Sequence, residues 1–332
     1  MKALVSREVG GPDTLVLADM PDPTPGEGEI LVAVEACGLN YPDVLIIEDK
    51  YQMRPPRPFA PGGEVAGTVE AVGPGVSAFS PGDRVVGVTG HGGLATKAVL
   101  QEESAYALPD GFDAKDGAGL LFTYGTTIYA LLDRGALKAG ETVLVLGAAG
   151  GVGSAAVEIA RAVGATVVAA TSSDEKAAAA RKAGAERSVV YGRGPLDKEA
   201  SKALAADFKA AVGDAGANVI YDPVGGDYAE PALRAIAWEG RYLVVGFTAG
   251  IPRLPLNLTL LKSCDVRGVF WGAFARRNPA ANRRHVAQLF TWWGEGKIRP
   301  HVSRTWPLAE GGTAIAHLGS RQAIGKVVVT MD

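Results

Sequence analysis

The sequence predicts the α/β fold class, with a doubly wound parallel sheet and a second, β-rich domain. Two observations support this prediction. From about residue 141 onward, short apolar runs such as TVLVLG and ATVVAAT alternate with alanine-rich helical stretches, which is typical of parallel strands connected by helices. Before about residue 121, β-rich runs such as EILVAVEACGLN are separated by turns rich in Pro and Gly.

The composition of the chain limits its size class and its partners. With 332 residues, 47% of them apolar and 21% charged, the chain is long enough for two domains with a large buried core. The net charge of −3 provides no basic field that would attract nucleic acid or anionic lipid. We therefore expect no nucleic-acid partner.

Targeting and cysteine patterns predict a cytoplasmic protein. The first residues, MKALVSREVGG, lack the apolar core of an export signal, and the most apolar run, residues 117–132, is interrupted by Gly125 and by threonines. The two cysteines, Cys37 and Cys264, are too few for a disulfide framework. We expect reduced thiols, no export signal and no membrane span.

The alternation of strands and helices continues toward the C-terminus. RSVVYG, NVIYDPVG, RYLVVGF and DVRGVFW are predicted strands, AANRRHVAQLFTWWGEGK is a predicted long helix, and GKVVVT is a predicted final strand. The stretch DEKAAAARKAG predicts a helix that stops at Gly184.

A glycine-rich turn after TVLVLG is the strongest functional motif. Ala148, Gly150 and Gly153 occupy the three small positions of a G-x-G-x-x-G pattern, at the start of the predicted helix SAAVEIARAVG. Small residues here permit a tight turn, close approach of backbone N–H groups to a pyrophosphate, and close packing of helix on strand. We predict that this turn, with Gly151 and Val152, binds a dinucleotide.

The end of the next strand indicates which dinucleotide is bound. An enzyme that uses NAD normally places Asp or Glu there, to accept hydrogen bonds from the ribose 2′-OH, whereas this chain has Thr171, Ser172 and Ser173. Hydroxyl groups with a nearby cation suit a 2′-phosphate, and Lys176 and Tyr191 are within reach of that position. We therefore predict NADP(H), although Lys176 alone also fits a solvated lysine on a helix surface.

Five segments together resemble one known family. LGAAGGVGSAAVEIARAVGA, CGLNYPDVL, PGGEVAGTVEAVG, FSPGDRVVG and RQAIGKVVV look like the zinc-free quinone oxidoreductase branch of the medium-chain dehydrogenase/reductases. The resemblance covers nearly the whole chain. It implies a GroES-like catalytic domain, residues 1–124 completed by 297–332, and a Rossmann NADP-binding domain, residues 125–296. It also implies an active-site cleft where the domains meet, and a homodimer.

The metal-ligand positions of the related zinc enzymes are changed in this sequence. The resemblance aligns those positions with Asn40, Gly63 and a residue near Thr123, none of which completes a zinc ligand set. Cys37 is three residues out of register, and no two histidines have paired ligand spacing; the histidines are His91, His285, His301 and His317. We expect no metal.

Without zinc, other groups must stabilise the negative charge that hydride transfer leaves on the acceptor oxygen. The candidate donors are Asn40, Tyr41 and Tyr51. The resemblance implies that Asn40 and Tyr51 line the substrate site and that Thr127 lies near the nicotinamide, and enoyl reductases of related build carry a tyrosine near the place of Tyr41. Each tyrosine also fits a half-buried packing role.

Further cofactor contacts are predicted where strands end, because ligands of open parallel sheets lie across the carboxyl ends of the strands. These residues are Val224, Gly246, Phe247, Phe270, Trp271 and Gly272. The resemblance adds Lys326, which also fits an exposed strand lysine.

The predicted activity is NADPH-dependent reduction of small-molecule quinones or α,β-unsaturated carbonyl compounds, without metal or flavin. One alternative is a medium-chain enoyl-CoA reductase, for which the arginines of FARRNPAANRR could hold the phosphates of CoA. An alternative of another class is an NADPH-binding structural or redox-sensing protein with little turnover.

Overall fold

The computed structural model describes residues 1–331 and divides into two compact units. The first unit comprises Met1–Phe122 together with the chain from Pro300 onward, and the second unit comprises Thr123–Arg299. The chain therefore passes between the units at two places, after Phe122 and after Arg299.

Strands and helices are numbered here along the chain. The strands are β1 (Lys2–Val5), β2 (Val16–Asp19), β3 (Glu29–Leu39), β4 (Glu64–Val72), β5 (Arg84–Val88), β6 (Lys97–Gln101), β7 (Ala105–Ala107), β8 (Thr142–Leu146), β9 (Thr166–Thr171), β10 (Arg187–Val190), β11 (Ala217–Asp222), β12 (Ile236–Val244), β13 (Asp265–Gly268), β14 (Val302–Pro307) and β15 (Lys326–Thr330). The helices are α1 (Tyr41–Ile46), α2 (Ala114–Gly117), α3 (Leu121–Ile128), α4 (Gly151–Val163), α5 (Asp174–Ala183), α6 (Lys198–Val212), α7 (Ala229–Leu233), α8 (Asn257–Lys262), α9 (Trp271–Arg277), α10 (Pro279–Gly294) and α11 (Gly311–Gly319).

The first unit is built on a seven-stranded sheet of order β14-β15-β3-β4-β5-β7, with β6 paired to β3. The long strand β3 pairs antiparallel with β4, β6 and β15, so its two halves have different neighbours. Because β15 comes from the C-terminal part of the chain, both ends of the sequence build this unit. Its core includes Ile30, Val65, Leu100 and Val327, all fully buried.

The second unit contains a six-stranded parallel sheet of order β10-β9-β8-β11-β12-β13. From β8 the chain proceeds outward through β9 to β10 and then returns to β11 on the other side of β8. This reversal is the switch point of a doubly wound sheet, and all the carboxyl ends of the strands lie at one edge. The predicted α/β fold class with a Rossmann sheet is confirmed.

Predicted and observed element ends agree where glycine stops a helix. Helix α5 ends at Gly184, as predicted, because Gly184 has a φ of 120° that other residues rarely adopt. The long helix predicted over residues 280–297 is α10, which starts at Pro279 and ends at Gly294. Gly296, with a φ of 68°, turns the chain before the predicted end is reached.

Some strands differ from the sequence prediction. Strand β12 starts at Ile236, five residues before the predicted start at Arg241, and β14 was not predicted. The strand β14 has mostly exposed side chains and is defined by its pairing with β15, so its own apolar pattern is weak. Among the described residues, no helix is long and apolar enough to cross a membrane.

Candidate functional site

The turn between β8 and α4 has the geometry that its small residues predict. Gly147 has a φ of 60°, and a Cβ atom at Gly153 would overlap the carbonyl oxygen of Gly147, so only glycine allows this close approach of helix and strand. A Cβ at Gly150 would meet only the Gly147 oxygen at 3.5 Å, which leaves the outer side of the turn open. Helix α4 starts at Gly151, and its first N–H groups have no partner within the helix. The turn can therefore bind an anionic pyrophosphate, and residues 147–153 are called the nucleotide turn below.

The end of β9 forms a hydroxyl-rich corner beside this turn. Thr171 is buried and its Oγ1 donates to the carbonyl oxygen of Ser173 at 3.2 Å. Ser173 is the N-cap of α5 and accepts the backbone N–H of Lys176 at 3.3 Å. The Ser172 hydroxyl contacts a cation: Arg193 donates from Nε to Ser172 Oγ at 3.4 Å.

Arg193 is a candidate that sequence reasoning missed. It is exposed and follows β10 by three residues. The signal in the sequence was a cation immediately after the predicted strand RSVVYG. The tyrosine of that strand, Tyr191, is itself predicted to lie near the 2′-phosphate. With Lys176 partly exposed on the first turn of α5, two cations lie on elements that border Ser172.

Tyr191 is largely a packing residue in this structure. Its ring lies 4.8 Å from that of Tyr228, and it is buried. Burial raises the pKa of the Tyr191 phenol far above its usual value, and the nearby backbone of Gly147 in the turn opposes this shift. Tyr191, directly after β10, thus packs in the core of the second unit.

The loop after β11 is held by a buried carboxylate that sequence reasoning also missed. Asp222 accepts the N–H groups of Val224 at 2.7 Å and Gly225 at 2.8 Å, and the hydroxyl of Tyr242 at 2.5 Å. Burial raises the pKa of Asp222, while these hydrogen bonds oppose the shift. The loop lies against the nucleotide turn, because a Cβ at Gly147 would come within 2.9 Å of the Val224 side chain. The signal was an Asp immediately before Pro-Val-Gly-Gly.

The remaining predicted residues at the strand ends fall into two groups. Gly246, Phe247, Phe270 and Gly272 follow β12 and β13 at the carboxyl edge, and the two phenylalanines are 46% and 56% exposed. Trp271 is 6% exposed, and its Nε1 donates to the Asn282 side chain on α10 at 2.9 Å. Trp271 is therefore a packing residue of the second unit, unlike its exposed neighbour Phe270.

Thr127 is fully buried on α3. Its Oγ1 lies 2.7 Å from the carbonyl oxygen of Thr123, 3.3 Å from that of Val152 and 2.8 Å from the hydroxyl of Tyr221. The contact with Val152 joins α3 to the first turn of α4. The hydroxyl of Thr127 is thus engaged inside the second unit.

A separate polar cluster is buried in the first unit around Lys326, which is 3% exposed. Its ammonium donates to the carbonyl oxygen of Leu39 at 3.1 Å, to Asn40 Oδ1 at 2.8 Å and to Glu64 Oε2 at 3.1 Å. Three acceptors satisfy the three N–H groups of a lysine. Lys326 therefore lies with Asn40 in the first unit, whereas the nucleotide turn lies in the second unit.

The side chain of Asn40 is fully engaged in the same cluster. Its Nδ2 donates to the carbonyl oxygen of Gly38 at 3.2 Å and to Glu64 Oε2 at 3.0 Å. Its backbone N–H donates to Asp43 at 2.7 Å, and the other oxygen of Asp43 accepts the N–H of Gly62 at 3.0 Å. Burial raises the pKa of Asp43 to about 6. Sequence reasoning named Asn40 but missed Asp43 and Glu64, whose only signal was their place beside Asn40 and Gly63.

The two candidate tyrosines lie at the partly exposed side of this region. Tyr41 is the first residue of α1 and is half-buried. Tyr51 follows α1 and packs, half-buried, against the apolar core of the first unit. Both side chains are thus half-buried, and that of Tyr51 packs against apolar residues.

The residues at the zinc-ligand positions do not fit a zinc ion. Asn40 is hydrogen-bonded to Lys326 and Glu64, and a Cβ at Gly63 would come within 3.2 Å of the Gly90 carbonyl oxygen. Cys37 is fully buried, and burial raises the pKa of its thiol, which disfavours the thiolate that zinc requires. Within residues 1–331, no group of three or more His, Cys, Asp or Glu side chains is arranged to hold a metal ion.

Two family models match the chain, one in each unit. The model described as alcohol dehydrogenase GroES-like domain matches residues 26–110, and the model described as zinc-binding dehydrogenase matches residues 151–287. A GroES-like unit and a doubly wound sheet with a dinucleotide turn, joined in one chain, define a medium-chain dehydrogenase/reductase.

Similar proteins define the branch. Quinone oxidoreductase-like protein 2 of Bos taurus is 39% identical over 305 residues, which are 91% of this chain and 85% of that protein. A mycobacterial protein solved in complex with NADPH is 32% identical, with a TM-score of 0.91 and 99% of each chain covered. Escherichia coli quinone oxidoreductase, also solved in complex with NADPH, is 28% identical, with a TM-score of 0.89, 99% of this chain and 100% of that chain covered. The chain belongs to the quinone oxidoreductase branch of the medium-chain dehydrogenase/reductases and is an oxidoreductase.

Proposed function

We propose that this protein transfers hydride from NADPH to a quinone or an α,β-unsaturated carbonyl compound, without a metal ion. The observation that carries the proposal is the corner after β9. A hydroxyl-bearing residue, Ser172, lies there beside the guanidinium of Arg193, where an NAD enzyme would carry an acid. The solved relatives that contain NADPH support the same cofactor here.

The second unit would bind the dinucleotide. The N–H groups at the start of α4 and the open turn at Gly150 suit the pyrophosphate. Lys176 and Arg193 would bind the 2′-phosphate through charge-assisted hydrogen bonds. The domain boundaries that the resemblance implies, between residues 124 and 125 and between residues 296 and 297, stay a prediction.

Bound NADPH supplies the hydride, and the protein must stabilise the charge that develops on the acceptor oxygen. Both amide protons of Asn40 are already donated to protein acceptors, and its Oδ1 accepts from Lys326. We therefore propose that Asn40 orients the polar groups around Lys326 and does not donate to the acceptor oxygen. The phenols of Tyr41 and Tyr51 are then the donors for the acceptor oxygen. Their half-buried rings favour that role, because a phenol at an apolar surface can lose bound water and still donate.

The direct test is NADPH absorbance with a panel of quinones, enals and enoyl-CoA esters, measured in the presence of a metal chelator. We expect NADPH oxidation with quinones or enals, at a rate that the chelator does not change. One zinc per chain by elemental analysis, with activity lost in chelator, would contradict the proposal. Tight NADPH binding with no oxidation across the panel would instead favour the binding-protein alternative.

An enoyl-CoA reductase is the second candidate. Exposed arginines on α9 and α10 favour it, because a CoA thioester carries phosphates that need cations; they are Arg276, Arg277, Arg283 and Arg284. Preference for the CoA esters over their free enal counterparts in the same panel would select this candidate.

Substitution of the two corner cations tests the choice of nucleotide. We expect Lys176→Ala and Arg193→Ala each to lower kcat/KM for NADPH by about ten- to a hundredfold and to change the NADH value little, because a hydrogen bond to a charged group contributes roughly 1.5 to 3 kcal/mol. Steady-state kinetics with both cofactors measure this. Lys182→Ala, an exposed lysine in the last turn of α5, is the matched control and should have no effect. Equal losses for NADPH and NADH would contradict the assignment.

Substitution of the two phenols tests the donor. We expect Tyr51→Phe to lower kcat by about tenfold with an enone and less with a quinone, at unchanged KM for NADPH, because the phenol acts mainly on charge that develops in the transition state. An enone is the poorer electrophile and depends more on this donor. Tyr41→Phe is the paired variant: a loss of kcat there with none for Tyr51→Phe would transfer the role to Tyr41. Two fully active variants would exclude both phenols.

We further propose a homodimer that pairs through strand β13. This strand is at the edge of the parallel sheet, and exposed apolar side chains occur on it and on the two elements that precede it in the chain: Val266 on β13, Trp238 on β12, and Leu260 and Leu261 on α8. An unpaired edge with exposed apolar residues favours a second copy about a twofold axis.

Light scattering of substituted proteins tests the dimer. We expect the double variant Val266→Lys, Leu260→Lys to be monomeric, because the proposed interface would have to bury two unpaired charges. Val190→Lys, at an exposed valine on the opposite edge strand β10, should leave the dimer intact. Loss of the dimer in the β10 variant alone would assign the interface to the other edge.

The state of the two cysteines indicates the compartment. Cys37 and Cys264 are both buried and unpaired, which fits a reducing environment. We propose the cytoplasm.

A further inference from the structure

The two places where the chain passes between its units are tied to one helix. Tyr124 lies two residues after the first crossing, and Arg299 is the last residue before the second crossing. Both donate to the same carboxylate oxygen of Glu158: the Tyr124 hydroxyl at 2.7 Å and the Arg299 backbone N–H at 2.9 Å. Glu158 lies on α4, the helix that starts at the nucleotide turn.

A second contact attaches the same helix to the second crossover segment, by which we mean the residues next to the second place where the chain passes between its units. Arg161, three residues after Glu158 on α4, donates to the carbonyl oxygen of Lys297 at 2.5 Å. Helix α4 therefore binds the segment 297–299 through an acceptor and a donor at neighbouring positions. Such paired contacts fix both the position and the direction of a segment that has no strand partner.

Glu158 is half-buried, and the hydrogen bond that it accepts from Tyr124 is more buried than the one from Arg299. Tyr124 is 1% exposed, so its hydroxyl has little access to water and needs a protein acceptor. Burial raises the pKa of Glu158, and the bonds from Tyr124 and Arg299 and the charge of Arg161 oppose that shift. Removing the carboxylate would take away the oxygen that the Tyr124 hydroxyl and the Arg299 N–H share as an acceptor.

The first crossing has a comparable contact on its other side. The backbone N–H of Phe122, the last residue of the first unit before the crossing, donates to Glu64 Oε1 at 2.9 Å. A carboxylate therefore binds the chain on each side of this crossing. Of these two carboxylates, Glu158 also binds the second crossover and also lies on the helix of the nucleotide turn.

We propose that Glu158 is a positioning residue that fastens both crossover segments to α4, so that nucleotide bound at the start of α4 also orders the crossovers. This proposal rests on the proposed NADPH-dependent function. A rigid helix is the physical connection: α4 spans 13 residues, with the nucleotide turn at its first turn and Glu158 in its second half.

Amide hydrogen exchange of the whole protein, without and with NADPH, tests the proposal directly. We expect Glu158→Ala to speed exchange of the Arg299 amide by about tenfold or more, the factor that corresponds to loss of one charge-assisted hydrogen bond. We expect NADPH to slow this exchange in the natural protein and not in Glu158→Ala. Glu158→Gln keeps an acceptor oxygen for both donors, so it should restore both behaviours.

Kinetics separate positioning from general stability. Glu158→Ala should lower kcat about tenfold at unchanged KM for NADPH, and Glu158→Gln should recover most of it. If Glu158→Ala fails to fold by circular dichroism, Tyr124→Phe replaces it: that variant removes one of the two bonds and should lower kcat at unchanged KM for NADPH. Natural kcat in the variant used would overturn the proposal.

The exchange measurement also keeps this proposal distinct from the proposed function. An Arg299 amide that exchanges equally in the natural protein and in Glu158→Ala, both without nucleotide, overturns the positioning role whatever the enzyme reduces. NADPH that protects the nucleotide turn and leaves the Arg299 amide unchanged overturns the connection along α4. Absence of NADPH binding overturns the proposed function and the effect of nucleotide along α4. The comparison of natural protein and Glu158→Ala without nucleotide still decides whether Glu158 attaches the crossover segments to α4.

Discussion

One buried cation determines how the polar groups of the first unit are arranged. The ammonium of Lys326 is shielded from water, so each of its N–H groups needs an acceptor inside the protein, and it finds them at Leu39, Asn40 and Glu64. Because Asn40 accepts through Oδ1, its Nδ2 faces Glu64 and the backbone. The second oxygen of Glu64 is then available to the N–H of Phe122. The start of α3 thus depends on a lysine from β15.

Three carboxylates, two of them buried (Asp43 and Asp222) and one half-buried (Glu158), play a matching part where the chain leaves regular structure near a candidate site. Asp43 binds the N–H of Gly62, Asp222 binds two N–H groups of the loop after β11, and Glu158 binds the N–H of Arg299. Loop N–H groups have no ladder partner, and a carboxylate can accept several of them through strong, charge-assisted bonds. Each such carboxylate loses hydration when buried, and these donors compensate for that loss. The loops are therefore ordered by residues that do not need to touch a ligand.

The sequence predicted those features that depend on neighbours along the chain. Alternating apolar strands and helices identified the parallel sheet, and the spacing of Ala148, Gly150 and Gly153 predicted the tight turn between β8 and α4, because turn geometry is a local property. The weak strand β14 escaped prediction because its pairing with β15, and not its own side chains, defines it. Arg193, Asp222 and Glu64 were missed for a related reason: their role depends on residues distant in sequence.

The sequence by itself thus determined the fold class, the tight glycine turn after β8 and the lack of zinc-type residues at the aligned positions, since these follow from residue type and local spacing. Only the tertiary structure decided which polar side chains are already engaged. It assigned the protons of Asn40 to protein acceptors, turned Trp271 inward, and buried Lys326, which the strand pattern alone would also allow at the surface. The physical reason is that a hydrogen bond depends on distance in space, and β3 and β15 come together only when the sheet forms.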